Sequence, residues 1–155
     1  MVARALRDDF EGSYDVYFQR LAEADRFDYS KLGKPIEVYG YAAAYSPDPA
    51  NRGKAVLPFD IATGRLIDDV WAQWLEHDPV RMAPAHADAL RSMRRIHLDA
   101  GRADEYYLDL GAQAFAAELE ALGVDHSLEL FDGKHGGLTY RYPGAIRELV
   151  RALTP

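Results

Sequence analysis

Behind Gly12-Ser13, Tyr14, Tyr17, Phe18 and Leu21 recur at three- and four-residue spacing. That pattern predicts a helix with an aromatic stripe and Ser13 at its N-cap. From Pro35 to Tyr45 two periods compete. Ile36, Val38 and Tyr39 suit a strand, whereas Pro35 at a first turn and Ala42-Ala43-Ala44 suit a helix, which is the preferred reading. Ser46-Pro47-Asp48-Pro49-Ala50-Asn51-Arg52-Gly53 is a loop by its turn residues, and little periodicity returns before Gly64. An irregular stretch of that length is a lid, an interface or a mobile segment in most compact domains. Leu66 to Glu76 is again amphipathic, with Val70, Trp71 and Trp74 on one side, and Asp78-Pro79 opens a further turn.

The last third is patterned most clearly. Arg95-Ile96-His97-Leu98-Asp99 reads as a strand, Tyr107 to Leu122 as a helix ended by Gly123, His126 to Phe131 as a second strand, and Pro143 to Leu153 as a terminal helix. That order predicts a right-handed crossover and a parallel pair of strands. The expected fold class is α/β, with a helical region over residues 1–93 and a strand-helix-strand-helix unit over 94–155. Two parallel strands alone are marginal in water. More sheet is therefore expected from a partner chain, from a second copy in a homodimer, or from strands in the first half that the pattern does not reveal.

A chain of 155 residues with 48% hydrophobic and 12% aromatic content is ample for a packed core. The absence of cysteine excludes disulfides and thiolate metal sites. No long apolar run opens the chain, so neither a signal peptide nor a membrane span is expected, and residence in the cytoplasm is the default. A net charge of −7 with scattered basic residues disfavours nucleic-acid binding. Arg91, Arg94 and Arg95, the one local basic cluster, read as solvated charges at a helix end. His77, His86, His97 and His126 lack metal-ligand spacing, so no metal or cofactor is expected.

Two loops carry the candidate chemistry. Gly101-Arg102-Ala103-Asp104 follows the first of these strands, and Gly133-Lys134-His135-Gly136-Gly137 follows the second. Each sets an ionisable residue on a Gly-bearing loop beyond an apolar strand, as the acid and base of a Ser-His-Asp hydrolase are presented. Asp104 alone also suits a loop or N-cap residue, Asp99 is the runner-up acid, and Glu105 and Asp109 read as helix-start charges. No Gly-x-Ser-x-Gly nucleophile elbow occurs. Ser13, Ser30, Ser46, Ser92 and Ser127 are each better read as capping, turn or strand-end residues than as nucleophiles. Trp71 and Trp74 read as packing rather than as the wall of a substrate pocket.

Leu98-Asp99-Ala100-Gly101-Arg102-Ala103-Asp104-Glu105-Tyr106, the helix Ala112 to Leu119, Phe131-Asp132-Gly133-Lys134-His135-Gly136-Gly137 and Tyr140-Arg141-Tyr142-Pro143 together resemble the α/β-hydrolase superfamily. Within it, the likeness is to the esterases that include esterase D-like and enterochelin esterase-like enzymes, over about residues 94–153. The resemblance implies that Asp104 is the family's acid and His135 its base. It also implies that residues 1–93 are a cap or insertion region, that the substrate is a small-molecule ester, and that nucleophile and oxyanion loop would lie upstream of residue 1. The expected function is that of a carboxylic ester hydrolase lacking its own nucleophile elbow. The alternative is a catalytically silent, truncated hydrolase that self-associates as a structural or binding module.

Overall fold

The computed structural model describes residues 2–154, and its contacts divide the chain into two compact units between His77 and Asp78. The first unit opens with α1 (Val2–Asp9), α2 (Tyr14–Glu23) and α3 (Tyr29–Tyr45), followed after a long loop by α4 (Asp68–Leu75). Leu6, Phe10, Tyr17 and Leu32 form its buried core. Ser13 caps α2 as expected, its hydroxyl accepting from the Asp15 and Val16 N–H groups.

Residues 35–45 are helical, but Pro35 lies inside α3 rather than in its first turn, because the helix already begins at Tyr29 with Asp28 capping it. A proline there removes one donor and presses on the preceding turn. Two hydroxyls from α2 bind the carbonyls around it, Tyr17 Oη donating to Leu32 O at 2.7 Å and Tyr14 Oη to Pro35 O at 2.8 Å. Ser30, expected in a turn, stands in the first turn of α3 and bonds Asp28. The stretch after α3 is irregular as expected, pinned by isolated bridges between Pro47 and Ala55 and between Phe59 and Leu66. Buried Ser46 donates to Val56 O and accepts from Trp74 Nε1, which makes that tryptophan a packing residue.

The second unit runs α5 (Pro79–Met82), a 3-10 turn, α6 (Ala87–Ser92), β1 (His97–Gly101), α7 (Leu108–Ala121), β2 (Ser127–Phe131), a second 3-10 turn and α8 (Tyr142–Leu153). The expected division at 93/94 thus falls later than the observed one, because α5 and the turn after it pack on α7. β1 and β2 pair in parallel from His97–Ser127 to Gly101–Phe131 and are the whole sheet among the described residues. The first strand is shifted two residues beyond the expected Arg95–Asp99, because its register is set by β2. The fold is mixed α/β.

Alternation gives this sheet two unlike faces. Leu98, Ala100, Leu128 and Leu130 share the apolar one, and α7, with Ala116 and Leu119 buried, packs against both strands. His97, Asp99, Ser127 and Glu129 share the other, which is held to the α8 segment by ion pairs. Arg141 Nε lies 2.8 Å from Asp99 Oδ2, its Nη2 lies 2.7 Å from Glu129 Oε2, and its guanidinium covers the Phe131 ring at 4.1 Å. Glu148 accepts from Ser127 Oγ at 2.7 Å and from Arg95 Nε at 2.6 Å. Arg95 is therefore a paired residue rather than the solvated charge expected, although Arg91 keeps to the helix end, bonding Asp88 and the Leu122 carbonyl.

Candidate active site

β1 and β2 deliver two loops to the same end of the sheet, and the loops touch because Gly101 has no side chain. A Cβ at Gly101 would lie 2.3 Å from the Gly133 carbonyl oxygen. In the space so provided, Arg102 N–H donates to Phe131 O at 2.8 Å and Ala103 N–H to Gly133 O at 2.9 Å. One residue further on, Asp104 Oδ2 stands 3.2 Å from His135 Nδ1. The two residues singled out from sequence are therefore neighbours.

Their surroundings differ sharply: the Asp104 side chain is 4% exposed and that of His135 49%. Burial of the carboxyl opposes its charge. The Tyr106 N–H at 2.8 Å, the His135 ring and the Leu108 N–H outweigh it and hold Asp104 below its ordinary pKa. An ionised carboxylate only accepts hydrogen bonds, so the proton between the pair belongs to Nδ1 of His135. In the neutral imidazole, Nε2 then keeps its lone pair, and among the described residues no hydrogen bond occupies it. The Tyr106 ring meets the imidazole edge-on at 5.0 Å.

A folded-state pKa below the unfolded value has a defined consequence. The Asp104 carboxylate stabilises the fold above its unfolded pKa of ~3.9 and ceases to do so as pH falls through the lower folded value. In melts of wild type and Asp104→Asn, the gap in melting temperature should be widest above about pH 5 and shrink towards about pH 2. A gap constant across that range contradicts this account of the carboxylate.

Other candidates are placed elsewhere. Asp99 faces Arg141 on the ionic face of the sheet and does not meet His135. Ser127 donates to Glu148 and lies 2.9 Å from His97 Nδ1, so its hydroxyl is committed at the start of β2. Ser92 donates to the Ala89 carbonyl at the end of α6. Asp109 sits in the first turn of α7 as expected, whereas Glu105 precedes that helix and accepts the His135 backbone N–H at 3.1 Å. Tyr107, expected to begin the helix, is instead its N-cap in the left-handed region, φ 59°. No group of His, Asp and Glu suited to a metal ion occurs among the described residues, and no helix among them is long and apolar enough to cross a membrane. No family model matches this chain, and no curated protein matches it either.

Proposed function

We propose that the second unit is the acid and base portion of a carboxylic ester hydrolase, with Asp104 as acid and His135 as base. The observation that carries the reading is the 3.2 Å approach of an ionised carboxylate to Nδ1, which leaves Nε2 free to take a proton. The resemblance of residues 94–153 to esterases supports the same roles. In the full reaction, Nε2 takes the proton of an attacking hydroxyl as its oxygen bonds the acyl carbon and returns that proton to the departing alcohol. It then takes a proton from a water whose oxygen bonds the acyl carbon and returns it to the first oxygen as the carboxylic acid departs. Asp104 stabilises the intervening imidazolium. The attacking hydroxyl is not one of this unit's serines, which are committed elsewhere, and a partner chain is a source that can supply it.

On an activated ester the same pair needs no serine. Nε2 accepts a proton from the water that attacks the acyl carbon, and p-nitrophenolate departs without needing one. Hydrolysis of p-nitrophenyl acetate by wild type and His135→Ala tests the proposal, with loss of the rate in the variant as the expected result.

One observation favours the alternative of a silent, self-associating module. Ile146, Leu149, Val150 and Leu153 form an exposed apolar stripe on α8, while Glu148 on the same helix turns to the ionic face of the sheet. Equal rates in the assay would leave that alternative standing and remove the esterase.

A further inference from the structure

The loop carrying His135 has little of its own to hold it. Gly133, Gly136 and Gly137 surround the Lys134-His135 pair, and Gly137 sits at φ 75°. Among the described residues, the main chain of residues 133–136 makes two hydrogen bonds, and both go to the acid loop. One runs from Ala103 N–H to the Gly133 carbonyl and the other from His135 N–H to Glu105 Oε2. The acid loop thus grips the base loop at consecutive steps, with the Arg102 and Ala103 amides, then the Asp104 carboxylate on the ring, then the Glu105 carboxylate on the peptide behind that ring.

We propose that Glu105 is a positioning residue, whose carboxylate fixes the His135 peptide and with it the side from which the imidazole meets Asp104. Asp104 alone constrains one ring nitrogen and leaves the ring free to pivot with its loop. A second hydrogen bond to the same residue's N–H removes that freedom, and orientation is what separates a base in reach of its proton from one out of reach. Glu105 is suited to the task as a hydrogen-bond acceptor. Its own backbone N–H and then that of His135 hold its carboxyl below the ordinary carboxylate pKa against a smaller opposing effect of burial. Its side chain is exposed, so it fills no core space that a substitution would empty.

This inference rests on the reading of His135 as a base, and its test separates the two. Amide hydrogen exchange at His135 and p-nitrophenyl acetate hydrolysis are measured in wild type, Glu105→Ala and Glu105→Gln. In Glu105→Ala, exchange at the His135 amide should rise and the His135-dependent rate should fall, each by about tenfold, while Glu105→Gln, which keeps an acceptor oxygen, stays within about twofold of wild type. Unchanged exchange and rate in Glu105→Ala overturn the proposal, and so does a Glu105→Gln variant as impaired as the alanine one. Should wild type and His135→Ala hydrolyse the ester equally, the esterase reading fails. The exchange data then judge Glu105 alone, with fast exchange in the alanine variant and wild-type exchange in the glutamine one supporting it, and normal exchange in the alanine variant refuting it.

Discussion

Gly101→Ala is expected to separate the acid and base loops. The added methyl would meet backbone, at 2.3 Å from the Gly133 oxygen, 2.6 Å from its carbonyl carbon and 2.9 Å from the Lys134 oxygen. Neither loop has a flexible side-chain end that could yield at those points, so the main chain itself must move. Over-filling a packed contact of this kind costs about 1–3 kcal/mol. The displaced atoms are also those that receive the Ala103 amide, so the approach of Asp104 to His135 opens with them. A shift of about 1 Å between reacting groups lowers rates by about a hundredfold, and a loss of that size in ester hydrolysis is expected alongside the lower melting temperature. Gly136→Ala is the matched control, because nothing lies within 4 Å of its added Cβ, and it should melt with wild type. A Gly101→Ala protein with wild-type stability and rate would mean that the loops do not approach as described.

His135→Ala has the largest effect expected on activity. A positioned base contributes about 100- to 10,000-fold to a proton-transfer step, and on p-nitrophenyl acetate the rate above buffer should fall by at least about a hundredfold. The side chain is half exposed, so its removal empties little packed space, and the melting temperature should fall only by the loss of the hydrogen bond to buried Asp104, about 1 kcal/mol. Asp104→Asn should retain part of the rate, since the imidazole survives while its orientation and the stabilisation of its protonated form are weakened. The two variants thus lose activity for different reasons, and the acid response described above is removed in the aspartate variant but only weakened in the histidine one, where the Tyr106 and Leu108 N–H groups still hold the carboxylate.

Much of the second unit is legible in the sequence because its signals are local. The apolar period of α7, its end near Gly123 and the run into Phe131 need no knowledge of distant residues. Asp104 and His135 were visible for the same reason, each on a glycine-bearing loop after a strand. What the sequence hid depends on partners far along the chain. β1 ends at Gly101 rather than Asp99 because its register is fixed against β2, and Glu105 resembles any helix-start acid until the loop bearing His135 is placed beside it. The ionic face of the sheet is hidden likewise, since Arg95, Glu129, Arg141 and Glu148 look like surface charges one at a time and Asp99 like an alternative acid. Pro35 in mid-helix runs against local preference and is accommodated where tyrosine hydroxyls from α2 bind the neighbouring carbonyls.

The proposed chemistry depends on an ionised Asp104 engaging Nδ1 of His135 and leaving the lone pair of Nε2 free. Long-range nitrogen-proton correlation spectra of the ring, recorded at alkaline pH where the imidazole is neutral, read its tautomer directly. His135 is expected to carry its proton on Nδ1 in wild type and to lose that preference in Asp104→Asn. A wild-type ring protonated on Nε2 would contradict the proposed chemistry.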